Sequence, residues 1–145
     1  FHAELQPVPG VAAAIETIRG SGVPICVASS GNLEKMDLTL GLTGLKDHFE
    51  GHIFSASMVP RGKPHPDLFL FAAEQMGQMP ETCVVVEDSL LGTAAGIAAG
   101  MRVLAYAAES DADALTAAGG QVFTEMAKLP GLLGIGSAAR LGAAD

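Results

Sequence analysis

Apolar runs and helical stripes alternate along this chain from one end to the other. After Pro9-Gly10, the residues Val11, Ala14, Ile15 and Ile18 recur at the spacing of one helix face, and Gly20 and Gly22 end the segment. Pro24 to Ser29 is an apolar run, the pattern of a strand buried on both faces of a parallel sheet. Asn32 can cap a helix carrying Leu33, Met36 and Leu40. A second strand is predicted over His52 to Ser57. Pro66 suits a first helical turn and Asp67 its positive start; Leu68, Phe69, Ala72 and Met76 form the buried stripe and Gly77 stops it. Thr82 to Val86 reads as a third strand. Ser89 then caps an Ala/Gly-rich helix reaching Ala99, whose small residues permit close packing on a sheet. Arg102 to Tyr106 and Gln121 to Phe123 are two further strands, separated by a helix over Ser110 to Ala118. Glu125 to Leu133 holds a broken terminal helix.

This alternation predicts an α/β fold, a Rossmann-like three-layer α/β/α arrangement around a mainly parallel sheet. Residues 1–9 hold two prolines and no periodicity and read as a linker. Residues 10–133 form the domain, and Gly134 onward reads as a small-residue, mobile tail.

Composition narrows the function classes. The 145 residues suffice for one domain, and an apolar share of 49% excludes a disordered chain. Eight Lys and Arg stand against 16 Asp and Glu, a net charge of −8. That balance disfavours nucleic acid and an anionic membrane surface, both of which need a basic footprint. No apolar run is long enough for a membrane span, and no secretory signal opens these residues. Cys26 and Cys83 fall within predicted strands, lack Cys-x-x-Cys spacing, and are expected to be buried thiols in a reducing cytoplasm.

Three polar sites interrupt the apolar pattern just past predicted strands: Ser29, Lys63 in GKPHPD, and the pair Glu87-Asp88 closing CVVVED. Parallel sheets bind ligands at the carboxyl ends of their strands, so the three are expected to converge. Paired hard carboxylates at a buried strand end suit Mg²⁺, which keeps waters and bridges to substrate phosphate; capping of the next helix is their bland reading. An ammonium held between Gly62 and Pro64 would neutralise phosphate oxygens, against the bland reading of a solvated loop lysine. The Ser29 hydroxyl, with Ser30, Gly31 and the backbone N–H groups of a helix start, makes an anion cradle, or a plain cap. His65 is read as a loop residue of no catalytic weight. No Gly-x-Ser-x-Gly elbow supports a Ser/His/Asp hydrolase.

The stretches VASSGN, GKPHPD and VVVEDSLLGTAAGIAAGM resemble the second, third and fourth motifs of the haloacid dehalogenase-like hydrolases, in the branch of β-phosphoglucomutases and phosphoglycolate phosphatases. The resemblance runs from about Leu5 to Leu133. It implies phosphoryl transfer from a small phosphorylated metabolite, a sugar phosphate, to an aspartate, with Mg²⁺ bridging nucleophile and phosphate. By the same resemblance Ser29 binds the transferring group, Lys63 orients it, and Glu87 and Asp88 help to hold Mg²⁺. The family's first motif, Asp-x-Asp-Gly, is not in the sequence. LQPVPG is similar to the return from the family's cap domain into its core, so the chain is expected to be an incomplete core. Two expectations follow. The chain by itself has no phosphatase activity, and the strands ending at Ser29 and Glu87 pair directly, leave a gap, or recruit a second copy through the incomplete sheet. A phosphomutase of the same family and a non-catalytic phosphate-binding remnant are the alternatives. A receiver-type signalling module is disfavoured, because its acids come first in the chain.

Overall fold

The computed structural model describes residues 10–29, 52–107 and 111–135. Its strands are β1 (Val27–Ser29), β2 (Ile53–Ser55), β3 (Val84–Glu87), β4 (Arg102–Tyr106) and β5 (Gln121–Phe123). The α-helices among the described residues are α1 (Val11–Gly20), α2 (Asp67–Gln75), α3 (Leu90–Ala98), α4 (Ala112–Ala117) and α5 (Leu129–Leu132). The helix expected after Asn32 lies outside the described residues.

Every strand pairing is parallel, as the alternation with helices requires. The strands form two sheets, β1-β2 and β3-β4-β5, and among the described residues no ladder joins β1 to β3. Of the three arrangements expected there, direct pairing of these two strands is not seen among the described residues.

Two neighbours on β4 show the layering. Val103 and Leu104 are both buried and, being consecutive on a strand, face opposite ways. Leu104 packs with Ala14 and Ile18 of α1, Phe123 of β5 and Leu129 of α5. Val103 packs with Ala95 of α3, Phe69 and Ala73 of α2, and Val85 of β3. Helices therefore cover both faces, giving the three-layer α/β/α fold. Helix α2 serves both sheets, because its Leu68 and Ala72 turn to Phe54 of β2. The close seat of α3 depends on Gly96: a Cβ there would lie 2.5 Å from Val103 Cγ2.

Polar side chains cap both α3 and α4. Ser89 accepts a hydrogen bond from the Gly92 N–H at 3.0 Å and starts α3, as its residue type predicts. Before α4, Asp111 takes that role, accepting from the N–H groups of Asp113 and Ala114 at 2.9 and 3.2 Å. The sequence's one Asp-x-Asp spacing is thus used for a helix cap.

Two expectations need correction. Cys26 and Cys83 stand one residue ahead of β1 and β3 and are half-buried, because each strand's ladder begins at the following valine. The core also runs past Leu133. Ile135 is 4% exposed in the Ala14–Leu104 cluster, and its N–H donates to the Pro130 carbonyl at 2.7 Å.

Candidate phosphate site

A cleft of about 440 Å³ opens at the carboxyl ends of the strands, and Ser29, Lys63, Glu87 and Asp88 all line it. Ser29 is the last residue of β1, Glu87 the last of β3, and Tyr106, which also lines the cleft, the last of β4. Ser30 and Gly31, the other expected phosphate contacts, lie outside the described residues.

Lys63 arrives on a loop braced at both ends. The Lys63-Pro64 peptide bond is cis, and the His65 N–H closes a turn on the Gly62 carbonyl at 3.0 Å. Arg61 then clamps Asp67 at the first turn of α2 through two parallel bonds, Nη2 to Oδ1 at 2.9 Å and Nε to Oδ2 at 3.2 Å. That hydrogen-bonded guanidinium holds the Asp67 carboxyl below the usual carboxylate range. His65 is exposed, consistent with a loop residue.

The Lys63 side chain is far from solvated. It is 10% exposed, and its ammonium lies 5.1 Å from the centre of the Phe69 ring. Nζ donates to Glu87 Oε2 at 2.5 Å and to the Ala28 carbonyl of β1 at 3.3 Å. One ammonium therefore touches both sheets across their gap.

The two acids part company. Glu87 Oε1 accepts from the backbone N–H groups of Asp88 and Ser89, at 3.2 and 3.3 Å, and from the Ser89 hydroxyl at 3.0 Å. With Oε2 on Lys63, both of its oxygens are engaged by donors. Asp88 is exposed on the cleft wall. This donor set suits a hard cation held through one protein carboxylate, waters and substrate oxygens, a mode that Mg²⁺ accepts. Asp88 fits that role; Glu87, as placed, faces its own donors. Among the described residues no three acidic, histidine or cysteine side chains converge on a point.

Three residues at or beside the cleft were not singled out from sequence. Ser89 was read as a cap, which it is, but its hydroxyl also binds Glu87. Gly92 was read as one more small helical residue. Tyr106 could have been found from its place at a strand's carboxyl end, where such sheets gather ligands.

Comparison with known proteins decides the family. A model of the haloacid dehalogenase-like hydrolases matches residues 1–100, well over half of the chain. The chain belongs to the haloacid dehalogenase-like hydrolases. Within this family it is 33% identical over 132 residues to the 6-phosphogluconate phosphatase of Escherichia coli K12, covering 91% of this chain and 58% of that protein. A HAD family hydrolase from Deinococcus radiodurans, solved with bound phosphate and sodium, superposes with a TM-score of 0.85 at 38% identity. That match covers 91% of this chain and 62% of the other. A putative β-phosphoglucomutase from Thermotoga maritima gives 0.81 at 26% identity, covering 88% and 60%. The sequence thus spans less than two thirds of each of these proteins. Among the described residues no helix is long and apolar enough to cross a membrane.

Proposed function

We propose that these residues form the phosphate-binding and metal-binding side of a phosphatase acting on a small phosphorylated metabolite, a sugar phosphate, in a reducing cytoplasm. The observation that carries this reading is the position of Lys63. Its nearly buried ammonium stands in a cleft that Ser29 and Asp88 also line, which is where a phosphoryl group needs positive charge. The overall net charge of −8 makes such a local cation necessary for anion binding. In this reading the Ser29 hydroxyl and the Lys63 ammonium hold the phosphoryl oxygens, with Ser30 and Gly31 beside them. Asp88 holds Mg²⁺, which when bound neutralises phosphate charge. Glu87 holds Lys63 in place. Phosphoryl transfer in this family's manner also needs a nucleophilic aspartate from an Asp-x-Asp-Gly motif, which these 145 residues do not contain. The chain by itself is therefore proposed to bind phosphate without turning over an ester.

Titration of the chain with inorganic phosphate and Mg²⁺, followed by ³¹P NMR, tests the reading. Saturable binding that is lost in Lys63→Ala and weakened in Ser29→Ala supports it; equal binding by Lys63→Ala overturns it. Turnover of a generic phosphate ester that disappears in Asp88→Ala would refute the proposed inactivity.

A further inference from the structure

We infer that Gly92 and Ser89 are positioning residues for the site, acting through Glu87 on Lys63. The inference rests on the phosphate-site reading for its functional meaning, while the clamp itself is a matter of geometry. A Cβ built on Gly92 would lie 2.1 Å from Glu87 Cδ and 2.4 Å from each of its carboxylate oxygens. No real side chain tolerates such contacts. The Glu87 carboxylate therefore occupies the volume that any other residue at position 92 would fill. Gly92 is buried in the first turn of α3, where alanine would otherwise favour the helix. Its bareness serves the carboxylate and not the helix.

Ser89 completes the seat. Its hydroxyl accepts from the Gly92 N–H at 3.0 Å and donates to Glu87 Oε1 at 3.0 Å. The Glu87 carboxylate passes the connection on through Oε2 to the Lys63 ammonium, which ends on the Ala28 carbonyl at 3.3 Å. A continuous line of hydrogen bonds thus runs from the start of α3, across the gap between the sheets, to β1. Glu87 is pinned on one oxygen by donors that belong to its own turn, so its other oxygen has a fixed direction. That direction sets where the flexible lysine side chain puts its charge.

A double-mutant cycle tests this. The chain is prepared unsubstituted and as Gly92→Ala, Glu87→Ala, the double variant and Ser89→Ala. Thermal midpoints are measured, and the reaction of Lys63 with an amine-directed reagent is followed by mass spectrometry, with the exposed Lys128 as internal standard. Gly92→Ala is expected to lower the midpoint and to raise Lys63 labelling relative to Lys128 about tenfold, the scale of one lost charge-assisted bond. Ser89→Ala, which introduces no clash, is expected to raise labelling by a smaller factor. Once Glu87 is alanine, adding Gly92→Ala is expected to leave labelling unchanged and the midpoint equal or higher. Failure of Gly92→Ala to fold, with folding restored in the double variant, supports the inference equally. A midpoint loss of the same size in both backgrounds, folding failure in both, or Lys63 still protected in a folded Gly92→Ala overturns it. Phosphate titration of the unsubstituted chain is read separately. Absence of binding there removes the phosphate reading and leaves the clamp to be judged on the cycle alone.

Discussion

The Lys63 ammonium meets the Glu87 carboxylate at 2.5 Å, although 24 positions of sequence separate the two residues. Their side chains are 10% and 11% exposed, so the pair is largely shielded from water. Removing one partner of such a pair leaves a charge that the protein must still bury. Lys63→Met is expected to destabilise the fold by about 3 kcal/mol. The joint change of Lys63→Met with Glu87→Gln should cost less than Lys63→Met alone, because no uncompensated charge remains. Urea denaturation of the three proteins checks the order; a single variant milder than the double contradicts it.

Gly96 sets the distance between α3 and the sheet. An alanine methyl there would approach Val103 Cγ2 to 2.5 Å and Val85 Cγ2 to 3.3 Å. Alanine gains about 1 kcal/mol of helix propensity over glycine, but overpacking a filled interface costs about 1–3 kcal/mol. Gly96→Ala is therefore expected to lower the unfolding free energy. Pairing it with Val103→Ala should recover part of the loss, and denaturation curves for both variants decide the matter.

Thr93 is fully buried on the same helix, and among the described residues its Oγ1 has no hydrogen-bond partner. A buried hydroxyl without a partner keeps its desolvation cost and has nothing to offset it. Thr93→Val replaces the hydroxyl by a methyl of similar shape. It is expected to raise stability by about 1 kcal/mol, read from the urea midpoint. A clear loss would show that the hydroxyl is bonded.

Alkaline pH should weaken the fold through Cys26. Burial, with a smaller contribution from nearby Cys83, pushes this thiol up from 9.0 to about 11. The folded state therefore keeps the proton that the unfolded chain releases above pH 9. The associated stability is fully present below that pH and is lost as pH rises through about 11. Burial raises Cys83 as well, so its contribution has the same sign. Stability followed from pH 8 to 11 should fall more steeply for the unsubstituted chain than for Cys26→Ala. Parallel curves would rule the effect out.

Much of the architecture was legible because it depends on local pattern. Arg102–Tyr106 and Gln121–Phe123 take the bounds read from their apolar runs, and Ser89 caps α3 as its hydroxyl predicts. Pairing with a neighbour, by contrast, is not a local property. Of the apolar run from Pro24 to Ser29, Val27–Ser29 alone forms a ladder, because β2 offers partners only from Ile53 to Ser55. The cysteines fall outside their strands for the same reason. Ile135 follows what looked like the end of the domain, yet a pocket among Ala14, Ile18 and Leu104 exists to receive it.

The candidate site divides along the same line. Residue type and position after a strand were enough to select Ser29, Lys63, Glu87 and Asp88, because a parallel sheet brings its strand ends to one edge whatever the loops do. How each of the two acids is placed was decided in three dimensions. Glu87 meets Lys63 because a missing side chain at Gly92 leaves room for its carboxylate and because Lys63 comes in from a distant loop. Composition and periodicity record what each residue can do. Direction, and hence role, comes from neighbours that only the folded chain brings within bonding distance.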